Sequence, residues 1–135
     1  LTKKDLFDDA MHKIGTLGGG NHFLEIQVIT WVNGEYRHWG LREGHIGFMI
    51  HSGSRHFGHQ ICSYALSKFQ SVMQKSNLKA VHKEGVFAPV DSAEAKEYIS
   101  LMNMAINYAV VNRHFMANEI IRIFQKLGFK DNVFS

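Results

Sequence analysis

Cysteine and proline are almost missing from this chain. Its 135 residues include one cysteine and one proline, so no internal disulfide can form, which is typical of proteins from reducing compartments. No apolar run reaches the roughly 18–20 residues of a membrane span, and no signal-peptide pattern is present. We therefore expect a cytoplasmic protein that has no membrane partner and is held together by a hydrophobic core.

A strong charge of either sign is also missing. The formal net charge is +3 and the pI is near 9.1, which favours a polyanionic partner without identifying one. Nine histidines are the more informative excess, because imidazole is the commonest transition-metal ligand. Length and composition predict one domain, residues 1–135. The first residue, Leu1, and the strand-like end at 132–135 indicate a central segment whose N- and C-terminal parts are missing.

Residue periodicity predicts an α+β fold with a mixed or antiparallel sheet and a long helical hairpin. The predicted elements are a helix over 3–14, strands over 23–30, 36–39 and 46–50, a helix over 58–76, and a long helix that follows Asp91 and ends before Gly128. Asn33-Gly34 predicts a type I′ hairpin turn. Asp91 and Glu94 are the predicted N-cap pair of the long helix. We expect the Cys62 thiol to be buried on the apolar face of its helix.

The first motif with chemical content is Gly15-Thr16-Leu17-Gly18-Gly19-Gly20-Asn21-His22-Phe23-Leu24-Glu25. Glycines allow a close backbone approach to a ligand, and successive exposed N–H groups can bind a phosphate. His22, at the entry to a strand, has a rigid base for a metal ligand. The spacing matches neither a dinucleotide fingerprint nor a P-loop. A glycine-rich turn with a strand-capping histidine fits the same pattern.

The second motif is His51-Ser52-Gly53-Ser54-Arg55, where a predicted buried strand meets a helix. A histidine at the end of such a strand can point into a cleft, and the planar guanidinium of Arg55 suits a phosphate. A serine nucleophile elbow is excluded, because Ile50 and His56 stand where that motif needs glycine. A Ser/Gly helix cap beside a hydrogen-bonded histidine remains an alternative.

His22 and His51 lie at the ends of strands that we expect in one sheet, so the two imidazoles should be neighbours. Two ligands are too few for a tight metal site, which normally has three or four. Either further ligands lie outside the chain or there is no metal. The Asn112-Arg113 pair suits RNA contact or the pinning of helix to sheet, and we favour pinning. The other histidines are interpreted as surface or internally hydrogen-bonded residues: His12, His38, His45, His56, His59, His82 and His114.

Together the two motifs resemble the RtcB family of RNA-splicing ligases. The resemblance rests on the glycine-rich motif through Glu25 and on Ile50-His51-Ser52-Gly53-Ser54-Arg55. Two further stretches are similar, residues 88–92 leading into the long helix, and residues 105–109 followed by Asn112-Arg113. The likeness covers nearly the whole chain and implies that it forms part of the larger RtcB fold.

The resemblance implies an RNA ligase that uses GTP and two Mn²⁺ ions. Such enzymes join an RNA 3′-phosphate or 2′,3′-cyclic phosphate end to a 5′-hydroxyl end, as between tRNA halves in splicing or in RNA repair. GMP is carried on a histidine and passes to the RNA 3′-phosphate. By the same resemblance, His22 and His51 would each bind one Mn²⁺, Arg55 would contact a phosphate, and the residues lining the guanylate would be Asn21, His22, Phe23, Leu24 and Glu25.

The chain also departs from the family pattern. The metal-bridging cysteine and its nearby aspartate would precede Leu1, and Cys62 does not match that cysteine. The next family histidine and the histidine that takes GMP would follow Ser135, so this segment holds no catalytic nucleophile and alone should not ligate RNA. The alternative functions are a metal- or nucleotide-binding module that binds RNA ends without joining them, and a structural or release-factor-like relative.

Overall fold

Helices and one pair of strands form the described part of the chain, residues 3–129 of a computed structural model. The elements, in chain order, are α1 (Lys3–Lys13), β1 (Phe23–Val28), a 3₁₀ helix (Gly34–Trp39), β2 (Ile46–His51), α2 (Arg55–Lys75) and α3 (Ala93–Lys126). This confirms the predicted α+β class. The strand-like end predicted at 132–135 lies outside the described residues. Within residues 3–129 we find no helix that is both long and apolar enough to cross a membrane.

The described residues form two compact units, and the first consists of residues 3–14 and 53–110. Its core is a cluster of buried residues from all three of its helices, supported by Leu101 and Tyr108; the buried members are Ala10, Phe57, Ile61 and Ala105. Within this unit, α2 packs against the first part of α3. The Tyr64 hydroxyl donates to the Glu97 carboxylate at 2.9 Å, and the Phe57 and Tyr108 rings are 5.5 Å apart. This pairing is the predicted helical hairpin.

The ends of α3 are fixed by local hydrogen bonds, and the start differs from the prediction. Ser92, not Asp91, caps the helix: its Oγ accepts from the Ala95 N–H at 3.2 Å and donates to the Pro89 carbonyl at 2.6 Å. The turn closed by the Ser92 N–H and the Pro89 carbonyl places the serine, one residue after the aspartate, at the cap. Gly128 ends the helix as predicted, with φ of 87° and its N–H donating to the Gln125 carbonyl at 3.0 Å.

The second unit, residues 15–52 and 111–129, contains the sheet. The strands pair antiparallel in a register that runs from Phe23 opposite His51 to Val28 opposite Ile46. The predicted turn at Asn33-Gly34 and the strand over 36–39 are wrong. Asn33 has φ of −60° and its Oδ1 accepts from the Glu35 N–H, so it caps the 3₁₀ helix. A type I′ turn needs positive φ at both central residues, and Asn33 does not have it.

Cys62 is exposed, which corrects the expectation of a buried thiol. Successive residues of an α-helix point about 100° apart. The neighbouring Ile61 points into the core, and the cysteine that follows it therefore falls outside the buried stripe. The apolar helix around Cys62 was correctly predicted, but its side chain was assigned to the wrong face.

Replacing the buried member of this neighbouring pair should destabilise the chain much more than replacing the exposed member. We expect Ile61→Ala to lower the free energy of unfolding by about 2–5 kcal/mol, because it leaves a cavity in the core. The matched control Cys62→Ala should change it by less than about 0.5 kcal/mol. Urea denaturation followed by circular dichroism measures both. Equal losses in the two variants would contradict the placement of the core.

Candidate functional site

The glycine-rich loop leads from α1 to β1 and needs its glycines for the backbone conformation. Gly15, Gly18 and Gly20 have φ of 75°, 105° and 73°, values at which a side chain strains the backbone. At Gly15 an added Cβ would also lie 3.4 Å from the Cβ of Phe115. Around Gly19 and Gly20 nothing lies within 4 Å of an added Cβ. The far end of the loop is thus open to a ligand, while its start packs against α3.

Asn112 holds the start of this loop. Its side chain is 0% exposed, and its Oδ1 accepts from the Gly15 N–H at 2.7 Å and the Thr16 N–H at 3.1 Å. Its Nδ2 donates to the Thr16 carbonyl at 3.1 Å and to the Ser52 Oγ at 3.2 Å. Of the two roles considered for Asn112, these contacts support pinning, because a fully buried amide presents no surface to RNA.

Ser52 carries the same network into the second motif. Its Oγ donates to the Leu17 carbonyl at 2.5 Å, and its own carbonyl accepts from the Arg113 guanidinium at 2.9 Å. The residue that follows His51 is therefore bonded both to the glycine-rich loop and to α3. Asn112 and Arg113 were predicted to pin helix to sheet, but no sequence pattern identified Ser52 as a residue that both of them contact.

The structure brings His22 and His51 together. His22 immediately precedes β1, and His51 ends β2 opposite Phe23. The two imidazole centroids are 5.7 Å apart with ring planes at 65°, and the Phe23 ring stacks on His51 at 5.2 Å. Antiparallel pairing fixes the contact between Phe23 and His51, because residues opposite each other in such a ladder have adjacent side chains. His22 lies one residue before the ladder, next to Phe23. The expected neighbouring imidazoles are present, and their ligands stay a prediction.

One ring nitrogen of the histidine pair is buried and makes no hydrogen bond to the part of the chain that the structure describes. Within the described residues His22 Nδ1 is buried and has no hydrogen-bond partner, a costly state that a ligand could relieve. Across residues 3–129, however, no group of three or more His, Cys, Asp or Glu side chains could hold a metal. The histidine pair thus fits a metal ion as part of a larger donor set and does not make a complete site.

The five residues predicted to line a guanylate do not all share one face. Asn21 is exposed ahead of the strand, and side chains alternate along β1. Phe23 and Glu25 lie on the same face of the hairpin as His51, whereas Leu24 pairs with Ile50 on the opposite face. A ligand beside the histidines can therefore meet Phe23 and Glu25 through their side chains, and Leu24 through its backbone alone.

Arg55, the predicted phosphate contact, opens α2 in the first unit. Its backbone is left-handed, with φ of 56°, a conformation that costs a residue with a side chain roughly 1–2 kcal/mol. Burial raises the pKa of the Tyr108 hydroxyl, and the charge of Arg55 acts in the opposite direction on that pKa. The guanidinium therefore lies within electrostatic reach of Tyr108.

The remaining histidines are exposed, which is the first of the two roles predicted for them. The His56 and His59 rings stand 6.2 Å apart on α2, and His56 Nε2 lies 2.6 Å from the Gln60 amide nitrogen. The other exposed histidines are His12, His38, His45, His82 and His114. These side chains serve as natural references for any measurement on the pair at positions 22 and 51.

Two histidine rings lie side by side next to an open glycine-rich loop, and comparison with known proteins gives the family of this chain. The profile of tRNA-splicing ligase RtcB matches residues 2–133, so the chain belongs to the RtcB family. Proteins named tRNA-splicing ligase RtcB are similar over most of it. That of Archaeoglobus fulgidus is 36% identical over 129 residues, which are 94% of this chain and 27% of the relative.

Two further relatives of the same name agree. The Pyrobaculum aerophilum protein is 39% identical over 118 residues, 85% of this chain and 24% of its own length. The Aeropyrum pernix protein is 38% identical over 121 residues, 88% of this chain and 25% of its own length. The chain thus spans about a quarter of the length of these curated relatives.

The aromatic contact between Phe23 and His51 can be tested by NMR. We expect Phe23→Leu to move the His51 ring-proton resonances downfield, because the shielding phenyl ring is removed. A nuclear Overhauser effect should also join the His22 and His51 ring protons in the unsubstituted chain. His114, exposed on α3, is the internal control and should not shift. Unchanged His51 resonances together with a missing His22–His51 effect would show that the strand register is different.

Proposed function

We propose that this chain is a segment of a GTP- and manganese-dependent RNA ligase. The reaction joins an RNA 3′-phosphate or 2′,3′-cyclic phosphate end to a 5′-hydroxyl end, in tRNA splicing or RNA repair. The observation that carries the proposal is the 5.7 Å approach of the His22 and His51 rings beside an open glycine-rich loop. Membership of the RtcB family supplies the reaction class, since the relatives are named as tRNA-splicing ligases.

In this proposal His22 and His51 would each hold one Mn²⁺ ion through an imidazole nitrogen. Their ring centroids are 5.7 Å apart, so ions bound to the two rings could act on the same phosphoryl group. Bound Mn²⁺ would supply Lewis-acid stabilisation of the phosphoryl oxygens. The protein would hold both imidazoles beside the strand ends, so that they need little reorganisation when the metal ions and the phosphate bind.

The glycine-rich loop is proposed to bind a phosphate group. Arg55 is proposed separately, from the family resemblance, to contact an RNA phosphate. The loop borders open space at the Cβ positions of Gly19 and Gly20, and backbone N–H groups of such a loop can donate to a phosphate oxygen. Asn21, exposed before β1, can donate its amide N–H to the same group. Arg55 offers two parallel N–H donors to an RNA phosphate. The histidine that carries GMP is proposed, from the family resemblance, to lie outside residues 1–135.

A second candidate function is a module that binds RNA ends without joining them. Such a module would need no complete metal site, and residues 3–129 contain no group of three or more side chains that could form one. The two functions differ in covalent chemistry. A ligase transfers GMP to the RNA 3′-phosphate, whereas a binding module leaves both RNA ends unchanged.

Metal binding by the histidine pair can be measured directly by Mn²⁺ titration with electron paramagnetic resonance. In a full-length protein carrying this segment, we expect His22→Ala and His51→Ala each to weaken Mn²⁺ binding by at least about 10-fold. Loss of a group that only orients a metal ligand already costs about 10–100-fold, and loss of the ligand itself should cost no less. His114→Ala is the matched control and should leave binding unchanged. Unaltered affinity in both site variants would remove the basis of the metal assignment.

The chain by itself should form no covalent adduct with GMP. Incubation with radiolabelled GTP and Mn²⁺, followed by denaturing electrophoresis, is expected to leave residues 1–135 unlabelled, because the accepting histidine is proposed to lie elsewhere. A full-length family member treated in parallel is the positive control. A labelled band from the chain would place the nucleotide-accepting residue within it and overturn this part of the proposal.

A further inference from the structure

We infer that Asn112 is a positioning residue for the metal ligands, and that its amide fixes the segments that carry His22 and His51. This inference rests on the proposed function, because it concerns the same two histidines. Asn112 lies on α3 and touches neither imidazole. Its proposed effect passes through the glycine-rich loop and Ser52, and it predicts a loss of metal affinity when the amide is removed.

The amide of Asn112 is fully used inside the protein. A side-chain amide offers two acceptor sites on its oxygen and two N–H donors. Here the oxygen accepts from two backbone N–H groups, of Gly15 and Thr16. The nitrogen donates to the Thr16 carbonyl and to the Ser52 Oγ. A side-chain amide that makes all four hydrogen bonds and has no exposed surface has a structural role, and its hydrogen-bond partners show which segments it holds.

Those partners belong to the two histidine-bearing segments. Gly15 and Thr16 begin the loop that ends at His22, and Ser52 directly follows His51. Ser52 adds a link between the segments by donating to the Leu17 carbonyl at 2.5 Å. On the other side of the histidines, the strand register places Phe23 opposite His51. Each histidine is therefore held between a strand pair and the Asn112–Ser52 network.

The glycine content explains why such a network is needed. A loop with three positive-φ glycines among residues 15–20 has large backbone freedom and would lose much entropy on ordering. Metal ligands must be held within about 0.5 Å of their productive positions. Polar groups that orient metal ligands typically contribute 10–100-fold to metal affinity, which is the size of effect expected from Asn112.

The test compares variants of a full-length protein carrying this segment, with Mn²⁺ as the probe. We expect Asn112→Ala to weaken Mn²⁺ binding by about 10–100-fold. Asn112→Asp keeps the two acceptor positions and loses the amide donors, so an intermediate loss is expected. Ile61→Ala, in the core of the first unit, is the control for a general loss of stability and should leave Mn²⁺ affinity within about 3-fold, since it touches neither segment.

Ser52→Ala provides a second route if Asn112→Ala does not fold. It removes one Asn112 contact and the Leu17 bond, and it should also weaken Mn²⁺ binding. In the Asn112→Asp, Ser52→Ala double variant the losses should be less than additive, because the two residues act through one network. Additive losses would contradict a shared network.

The outcomes also separate this inference from the proposed function. If the unsubstituted protein binds Mn²⁺ through His22 and His51, and the Asn112 and Ser52 variants bind it equally well, the positioning role is refuted and the metal site stands. If binding in the unsubstituted protein does not depend on the two histidines, the proposed function fails first, and the positioning role of Asn112 fails with it.

Discussion

The buried amide of Asn112 is the constraint on which the geometry of the second unit depends. An amide taken out of water costs several kcal/mol unless its hydrogen bonds are replaced. All four replacements come from the protein. Any shift of the glycine-rich loop or of Ser52 would break at least one of them. The glycine-rich loop has large backbone freedom, and these bonds hold its start at Gly15 and Thr16. Its other end, at Gly19 and Gly20, stays open.

The two histidines combine rigid support with accessibility. His51 ends β2 within the antiparallel ladder, His22 lies one residue before β1, and the Phe23 ring between them in sequence stacks on His51. His22 is half-buried and His51 is exposed, so the pair lies at the border between packing and solvent. Such a position suits metal-binding imidazoles whose coordination is completed by groups from other parts of the protein. Within residues 3–129 no larger group of metal-binding side chains includes this pair, and the chain is about a quarter the length of its relatives. Both facts are consistent with the proposal that the site is assembled from several segments.

Local sequence patterns predicted the helices and helix ends that depend on nearby residues alone. Helical periodicity located α1, α2 and α3, and Gly128 marked the end of α3 because only a residue that tolerates positive φ fits there. The signals failed where two local outcomes compete. Asn33 suits a turn and a helix cap equally well, and the chain uses it as a cap. Cys62 was predicted to be buried but is exposed, because one residue along an α-helix turns the side chain by about 100° and so away from the buried face.

The candidate site was predictable in part. The two motifs and the expectation of a shared sheet were enough to bring His22 and His51 together. The network behind them was not visible, because Asn112 bonds to Gly15 across 97 positions and local patterns do not encode such pairings. The resemblance to RtcB ligases covered nearly the whole chain, and the family match confirms it.

The central claim is that His22 and His51 jointly face bound manganese beside the glycine-rich loop. Anomalous scattering at the manganese edge, from crystals of a full-length protein carrying this segment grown with Mn²⁺, tests it most directly. We expect manganese peaks at coordination distance from both imidazoles. Peaks elsewhere, with both rings free of metal, would contradict it.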